Sequence, residues 1–381
     1  MKDLTDKPTA GLHGELTVPG DKSISHRGIM FGAISHGRTT LHHFLTAEDC
    51  LSTLHAFQEM GVSIRRDGET VEIDGVGLNG LHEPTKPLDM GNSGTTTRLI
   101  MGLLAGQRFE TTLFGDDSLS QRPMRRVSDP LALMGANICV TEGHLPARIH
   151  GQKLHGIEYQ LKVASAQVKS AMILAAIQAE GPSILVEKQP TRNHTERMLN
   201  AFGASIETLD DNVTIKVAPQ PELTGIDLTI PSDMSSAAFF LVAATLVPHS
   251  RITLKNVGMN ETRTGLLSIL KRMGGKVTAT NERDDGEPTA DLTVMSADLK
   301  PIEIGAEEIP AVIDELPLVA LLAAKANGVS RITGAGELRV KETDRISAVV
   351  HEFSKLGIVI RELPDGFVID GSKPWHVETT K

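Results

Sequence analysis

The sequence contains few aromatic residues, few cysteines and no long apolar run. Aromatic residues make up 3% of its 381 residues, so it lacks the rings on which single-stranded nucleic acids stack. Its two cysteines are too few for a disulfide framework or a thiolate zinc site. No apolar stretch reaches the ~18–20 residues that a membrane helix needs, and the N-terminus lacks an apolar signal region. These features predict a cytoplasmic globular protein.

An excess of basic residues is also absent. The chain has 38 Lys and Arg against 48 Asp and Glu, a formal net charge of −10, which argues against binding to nucleic acid. The basic residues are nevertheless clustered, in the segments 121–126, 191–197, 260–263 and 338–345. Salt bridges on helix surfaces explain most such clusters, but a cleft can focus positive potential even in an acidic chain. The pattern favours a pocket for a small, multiply anionic ligand.

An internal repeat of about 70 residues runs through the chain. A polar start, an apolar helical run, a Gly-bearing turn and a β-rich run recur five times, with starts 68, 72, 70 and 79 residues apart. A second pattern follows each copy: an amphipathic helix, a hydrophobic–Gly step and two alternating strands. The repeating unit is therefore predicted to be βαβαββ. The five copies begin at Ser25, Ser93, Ser165, Ser235 and Asp314.

The first helix of each unit is apolar nearly all round, which predicts a buried helix surrounded by sheets. Its N-terminus presents unpaired backbone N–H groups and the positive end of the helix dipole. Several such ends meeting at one place would form an anion site. The Ser, Asn and Asp residues at these starts are also ordinary N-caps, but caps do not require Arg and Lys beside them.

Common nucleotide and metal motifs are missing. The segment 20–23 (GDKS) has Asp21 between the Gly and the Lys of a phosphate loop, and it lacks the required glycine spacing. No Gly-x-Gly-x-x-Gly string opens an apolar helical run, as a dinucleotide fingerprint requires; GVGLNG (75–80) is followed by LHEPTKP, which contains two prolines. No His-x-x-x-His or Cys-x-x-Cys pattern is present. We therefore expect a mechanism without metal, nucleotide or other cofactor.

Six motifs follow one another between Val18 and Arg345. They are VPGDKSISHR (18–27), GNSGTTTR (91–98), SQRPMRR (120–126), SAQVKSA (165–171), IDELP (313–317) and LRVKETDR (338–345). Together they resemble the enolpyruvyl transferase family, in particular its branch that acts on shikimate 3-phosphate. The resemblance implies a two-domain inside-out α/β barrel of six βαβαββ units, with substrates in the interdomain cleft. The N-terminal domain would span residues 20–231, and residues 1–19 and 232–381 would form the other.

The resemblance implies that the enolpyruvyl group of phosphoenolpyruvate is transferred to the 5-hydroxyl of shikimate 3-phosphate, with release of phosphate. This step belongs to aromatic amino acid biosynthesis. The addition needs a base near the hydroxyl and an acid for the methylene carbon. Asp314 matches the family's base, Glu342 is a candidate for proton transfer, and Lys22 matches the residue that bridges both substrates. Partners other than these substrates are not expected, and the chain is predicted to be a monomer.

The substrate-binding residues implied by the resemblance fall into three groups. Ser23, Arg27, Ser165, Ala166 and Gln167 match positions for shikimate 3-phosphate, with Arg192 near the phosphate; Gly94, Thr95 and Arg122 match positions for phosphoenolpyruvate; and Asn92, Lys341 and Arg345 match further substrate positions. Each of these residues also has a simpler interpretation. Asp314 could be a helix N-cap, and Lys341 and Arg345 could belong to an exposed helix start. His26 and His194 could be structural residues.

The segments GDKS, SAQVK, RNHTE and NETR also resemble the second class of this branch, which tends to tolerate glyphosate. Glyphosate competes for the phosphoenolpyruvate pocket. Its binding there requires a small residue at position 94, and Gly94 is such a residue. Tolerance is therefore a hypothesis that the sequence does not decide.

Three other interpretations of the sequence differ from this one. A transferase acting on a UDP-sugar typically has a Lys-Asn pair and a loop cysteine, whereas this chain has Lys22-Ser23 and no Cys in residues 115–126. An RNA-terminal phosphate cyclase would need a nucleotide-handling His and a more basic surface. The repeat spacing places a sixth start just beyond residue 381, which predicts a missing sixth unit and a chain that binds shikimate 3-phosphate but turns over little.

Overall fold

The computed structural model describes residues 10–284 and 286–375. They belong to two compact units, one formed by residues 20–230 and the other by the described parts of 1–19 and 231–381. Each unit has its own hydrophobic core. None of the helices in the described residues is long and apolar enough to cross a membrane.

The described residues form twenty strands, eleven α-helices and three short 3-10 helices. The strands are β1 (His13–Leu16), β2 (His36–His42), β3 (Ser63–Asp67), β4 (Thr70–Val76), β5 (Leu88–Asp89), β6 (Glu110–Phe114), β7 (Asn137–Thr141), β8 (His144–His150), β9 (Glu158–Gln160), β10 (Ser183–Val186), β11 (Ile206–Thr208), β12 (Thr214–Val217), β13 (Asp227–Thr229), β14 (Arg251–Gly258), β15 (Lys276–Asp284), β16 (Pro288–Met295), β17 (Glu303–Ile304), β18 (Val329–Ile332), β19 (Val359–Leu363) and β20 (Gly366–Asp370). The α-helices are α1 (Lys22–Ala33), α2 (Glu48–Glu59), α3 (Gly94–Ala105), α4 (Asp117–Ser120), α5 (Arg125–Ala132), α6 (Ala166–Ala176), α7 (His194–Ala201), α8 (Met234–Leu246), α9 (Gly265–Met273), α10 (Leu316–Ala323) and α11 (Arg345–Lys355). The 3-10 helices are Glu261–Arg263, Ile309–Ala311 and Gly336–Val340.

The repeat appears as five four-stranded sheets within the described residues. Their strand orders are β13-β2-β4-β3, β5-β6-β8-β7 and β11-β12-β10-β9 in residues 20–230, and β1-β14-β16-β15 and β17-β18-β20-β19 in the other unit. In each sheet a parallel pair of strands is completed by an antiparallel hairpin. None of these sheets closes into a barrel within the described residues, because each is open at both edges.

Two strands pair within their own unit although each directly precedes, in the chain, the first helix of the other unit. β1 precedes α1 in the chain, but it pairs in parallel with β14, His13 lying opposite Arg251. β13 precedes α8, but it pairs in parallel with β2, Asp227 lying opposite Thr40. The pairing of β13 with β2 brings the beginning and the end of residues 20–230 into one sheet.

The hydrophobic–Gly step of the repeat has one structural cause. The glycine lies just beyond the second helix of each unit with a φ angle between 72° and 108°. This left-handed conformation is the usual way to end a helix, and a residue without a Cβ adopts it without steric strain. The five glycines are Gly61, Gly135, Gly203, Gly274 and Gly357.

The first helices of the units in residues 20–230 are buried nearly all round. From Ile24 to Ala33 every residue of α1 is buried, and α3 and α6 are similar. The same expectation is wrong for α8, which leaves 62% of Phe239 and 39% of Phe240 exposed. The reason is that no sheet of the described residues covers that face of α8.

Candidate active site

The N-terminal turn of α1 carries the first predicted site residues. The Asp21 carboxylate caps the helix by accepting the Ile24 N–H at 2.9 Å. Lys22 begins the helix, and its ammonium forms an ion pair with Asp49 while 47% of its side chain stays exposed. Ser23 follows and is half-buried. Lys22 therefore has a defined direction and remains accessible to an anionic ligand.

Arg27 is buried one turn further along α1 and ties three helices together. Its Nε donates to Thr195 Oγ1 of α7 at 2.8 Å, and its Nη2 donates to Ser170 Oγ of α6 at 2.9 Å. Its Nη1 donates to the Ser23 carbonyl at 3.0 Å. These contacts fix the plane of the guanidinium, as recognition of a carboxylate or phosphate requires.

The starts of α3 and α6 are joined by the side chain of Gln167. Its Oε1 accepts from Arg98 Nη1 at 2.5 Å, and its Nε2 donates to Thr95 Oγ1 at 3.0 Å. Ser165 caps α6, and Ala166 is the first residue of that helix. The two helix N-termini therefore lie side by side.

A second polar chain lies beside the start of α3. Arg122 Nη2 donates to Asn92 Oδ1 at 2.6 Å, and Asn92 Nδ2 donates to Asp116 Oδ2 at 2.6 Å. Hydrogen bonds from the Leu119 backbone and from Asn92 hold the pKa of Asp116 below its usual value. A Cβ added to Gly94 would lie 3.0 Å from Arg122 Nη1, so glycine lets the guanidinium approach the backbone closely.

A row of buried hydroxyl groups connects α1 with α3 through α2. His26 Nδ1 lies 2.7 Å from Thr53 Oγ1, which lies 2.6 Å from Thr96 Oγ1. Thr96 Oγ1 is in turn 2.6 Å from Ser93 Oγ, the N-cap of α3. These contacts support the structural interpretation of His26, which stays a prediction.

We predict that His26 makes the fold sensitive to acid. Burial, reinforced by the nearby Lys22 ammonium, lowers the pKa of His26 from 6.5 to about 3. The unfolded chain therefore binds this proton first, so the stabilisation is complete above pH 6.5 and is lost as the pH falls towards 3. Urea unfolding at pH 7 and pH 4.5 should show a loss of unfolding free energy on the order of 2–3 kcal/mol from this group.

The matched variant for that prediction is His26→Asn, which retains a polar atom near Thr53 without titrating in this range. Carboxylates contribute the same pH dependence to both proteins. The loss of unfolding free energy between pH 7 and pH 4.5 should therefore be smaller in the variant. Equal losses would show that His26 is not the responsible group.

The predicted residues of segment 20–230 are thus brought together in part. The N-terminal turns of α1, α3 and α6 are linked to one another by side-chain hydrogen bonds. Arg192 is half-buried in the segment between β10 and α7. Converging helix N-termini with fixed cations are suited to binding anions.

The predicted residues of the other unit form a separate cluster of alternating charge. Asp314 Oδ1 lies 3.5 Å from Lys341 Nζ and 3.4 Å from Arg345 Nη1. The second arm of the same guanidinium, Arg345 Nη2, donates to Glu342 Oε2 at 2.6 Å. Arg345 therefore holds both predicted catalytic carboxylates.

Asp314 lies one residue before the N-cap position of α10. The N-cap position of α10 is occupied by Glu315, and Asp314 lies before it with about a quarter of its side chain exposed. Lys341 and Arg345 are likewise only 31% and 27% exposed, so they are not simply a solvated helix start.

A buried network that the sequence did not predict fixes the start of α10. Ser235 Oγ donates to Glu315, whose residue is 1% exposed. Arg263 Nη2 donates to Ser235 Oγ at 2.8 Å and lies 3.4 Å from Asp233 Oδ1. The network therefore fixes Glu315, the residue that follows Asp314 in the chain.

Several other functional contacts were also missed. Arg98 belongs to a quoted motif, but nothing in the motif shows that it reaches Gln167. Asp49, Ser170 and Thr195 are partners of predicted residues from distant parts of the chain.

The described residues contain no group of three or more His, Cys, Asp or Glu side chains placed to hold a metal. The cations and helix N-termini of residues 20–230 are suited to anion binding, and the carboxylates of Asp314 and Glu342 are suited to proton transfer.

The fold defines the class of protein first. The structure of the enolpyruvyl transferase NikO from Streptomyces tendae matches 97% of this chain and 84% of its own, with a TM-score of 0.76. At 17% identity, this likeness shows the enolpyruvyl transferase fold alone.

Closer similarities define the family. The sequence pattern of EPSP synthase (3-phosphoshikimate 1-carboxyvinyltransferase) matches residues 7–381. The 3-phosphoshikimate 1-carboxyvinyltransferase of Lactiplantibacillus plantarum is 62% identical over 379 residues, covering 100% of this chain and 88% of that protein. The EPSP synthase structure from Acinetobacter baumannii is 47% identical, with a TM-score of 0.86 over 96% of this chain and 83% of that one. The chain belongs to the EPSP synthase family.

These matches confirm the family and the fold class predicted from the motifs. They do not bear out the prediction of a missing sixth unit; the match covers the whole of this chain and 88% of the Lactiplantibacillus plantarum protein.

Proposed function

We propose that the chain transfers the enolpyruvyl group of phosphoenolpyruvate to the 5-hydroxyl of shikimate 3-phosphate and releases phosphate. The observation that supports this most directly is the meeting of three helix N-termini with Arg27, Arg122 and Lys22 in residues 20–230. Both substrates are multiply anionic, and this arrangement suits two such ligands. Family membership gives the reaction.

The proposed binding roles follow the polar contacts. Arg27 is oriented by Thr195 and Ser170, and Arg122 is oriented by Asn92. Shikimate 3-phosphate is assigned to Ser23, Arg27, Ser165, Ala166, Gln167 and Arg192; phosphoenolpyruvate is assigned to Asn92, Gly94, Thr95 and Arg122. Lys22 contacts both substrates in this scheme, and Lys341 and Arg345 bind substrate oxygens beside Asp314.

The proposed chemistry has two steps. In the addition, Asp314 accepts the proton of the 5-hydroxyl, whose oxygen bonds to C2 of phosphoenolpyruvate while the methylene carbon gains a proton. In the elimination, that carbon loses a proton, the double bond re-forms and the C2–O bond to phosphate breaks. Glu342 is the candidate for proton transfer at the carbon, and Lys22 balances the charge of the departing phosphate.

The proposal is tested by measuring phosphate release with both substrates present, and with each one omitted. Turnover that requires both, with the enolpyruvyl ether identified by mass spectrometry, is the expected result. Binding of shikimate 3-phosphate with no phosphate release would leave only the ligand-binding alternative, and absence of both would contradict the proposal.

We predict that Gly94→Ala weakens phosphoenolpyruvate binding selectively. The new methyl group would lie 3.0 Å from Arg122 Nη1, which is tight enough to displace the guanidinium. Because a misplaced binding group costs about 10- to 100-fold, KM for phosphoenolpyruvate should rise by about that factor. KM for shikimate 3-phosphate should change less; an equal rise in both would contradict the assignment of Gly94 and Arg122.

Glyphosate tolerance, a cytoplasmic location and a monomeric state stay predictions. Inhibition of the active enzyme by micromolar glyphosate would contradict tolerance. The assay that tests the function also provides this measurement, because glyphosate competes with phosphoenolpyruvate.

A further inference from the structure

A buried ionic cluster lies behind the first turn of α6. Lys169 Nζ is 2.9 Å from Glu187 Oε2 and 2.8 Å from Glu196 Oε1. The three side chains are 1%, 3% and 5% exposed. We call Lys169, Glu187 and Glu196 the buried triad.

The charges of the buried triad call for an explanation other than stability. Removing three ionised groups from water is unfavourable, and replacing buried ion pairs with apolar residues of similar volume is often neutral or stabilising. The triad also combines two carboxylates with one ammonium. A well-packed apolar cluster would therefore hold the helices together at least as well.

The geometry shows which backbone the buried triad holds. Lys169 Nζ also donates to the Thr191 carbonyl at 3.3 Å. The Thr191 hydroxyl donates to Glu187 Oε1, and the Thr191 N–H donates to Glu187 Oε2 at 3.5 Å. Thr191 is the residue immediately before Arg192, so the conformation at Arg192 is set by polar groups that an apolar cluster would not provide.

The buried triad is also connected to Arg27, the other guanidinium assigned to shikimate 3-phosphate. Lys169 is two residues beyond Gln167 on α6, and Glu196 is next to Thr195. Thr195 Oγ1 accepts from Arg27 Nε at 2.8 Å and lies 2.6 Å from Ser170 Oγ. The segment 191–196 is thus fixed to α6 at both ends.

We propose that Lys169 is a positioning residue, which orders the segment 187–196 so that Arg192 and Arg27 together receive the phosphate-bearing substrate. The inference rests on the proposed function and deepens it. Lys169 does not touch the substrate but, through its neighbours, fixes the positions of Arg192 and Arg27 for binding shikimate 3-phosphate. Phosphoenolpyruvate, assigned to Gly94 and Arg122, does not depend on this segment.

The test compares Lys169→Met with the wild type in steady-state assays of the full chain, together with calorimetric binding of shikimate 3-phosphate. We expect KM and Kd for shikimate 3-phosphate to rise about 10- to 100-fold, as for a displaced binding group. KM for phosphoenolpyruvate should stay within about threefold. Equal changes in both KM values, or a fall in kcat alone, would overturn the proposal, because a merely structural role has no substrate preference.

A milder variant keeps the proposal testable where Lys169→Met does not fold. Thr191→Val retains the side-chain shape and the buried triad but removes the hydroxyl link to Glu187. It should also raise KM for shikimate 3-phosphate selectively, by a smaller factor. An unchanged KM in this variant would overturn the proposed link to Arg192.

The matched control is Lys255→Met, which removes the ion pair of Lys255 with Asp291 in the other unit. It should leave both KM values unchanged. Wild-type protein that neither turns over nor binds shikimate 3-phosphate would refute the proposed function and the inference with it. Active wild type with unaltered Lys169→Met and Thr191→Val would refute the inference alone.

Discussion

Replacing Asp314 with Asn is expected to lower kcat by about 10²- to 10⁴-fold, the usual contribution of a general base. The Asn side chain has nearly the same shape and can still lie beside Lys341 and Arg345, but its amide does not accept a proton at neutral pH. KM for both substrates should therefore change by only a few-fold. Steady-state kinetics of phosphate release would measure both quantities.

Asp298→Asn is the matched control for this variant. Asp298 is an exposed carboxylate of the same unit, and the same change there should leave kcat unaltered. A loss of less than about tenfold in Asp314→Asn would assign the base to another group, and Glu342→Gln would then be the next variant to measure. Calorimetric binding of shikimate 3-phosphate to Asp314→Asn separates loss of chemistry from loss of binding.

Local sequence patterns were sufficient to predict the repeating unit. The apolar runs that became α1, α3 and α6 have helical length and small polar starts, and the glycines at 61, 135, 203, 274 and 357 end the second helices. These features depend on interactions within a few residues of the chain. They can therefore be read from periodicity alone.

The partners of β1 and β13 could not be predicted from local patterns; only the family resemblance implied that residues 1–19 belong with residues 232–381. A strand of three or four residues does not specify which of several similar parallel neighbours it joins, because the pairing is decided by sheets far away in the sequence. The prediction that α8 is buried all round failed for a related reason, since Phe239 is exposed. An apolar helix predicts burial, but what covers each face is a tertiary property.

The candidate active site shows the same contrast between residues that local motifs identify and contacts that depend on tertiary packing. The motifs identified Asp314 and Arg345, but only the structure shows Arg345 holding both Asp314 and Glu342. Lys169 lay inside a recognised motif, yet its partners Glu187 and Glu196 are 18 and 27 residues away, and nothing in their spacing connects them. Partner identity in polar networks depends on the packing of whole helices, which residue types alone do not determine.

Replacing Lys22 with Met is expected to lower kcat/KM by about 10²- to 10³-fold, typical of truncating one member of a charge pair in a binding site. Two effects add. The variant loses the ammonium assigned to both anionic substrates, and it leaves the Asp49 carboxylate without its ion-pair partner, so that a negative charge faces negative ligands. Steady-state kinetics for each substrate in turn would measure the loss.

A double variant separates these two effects. In Lys22→Met/Asp49→Asn the repulsive carboxylate is removed as well, so part of the activity lost in Lys22→Met should return, even though a second residue has been changed. Lys86→Met is the control, because it removes an exposed ion pair with Glu59 on the surface of the same unit and should not alter kinetics. If the double variant is no more active than Lys22→Met, repulsion by Asp49 contributes nothing, and the whole effect lies in the lost contact of Lys22. If Lys22→Met itself retains wild-type kcat/KM, Lys22 does not bind the substrates, and the first turn of α1 serves only to place Arg27.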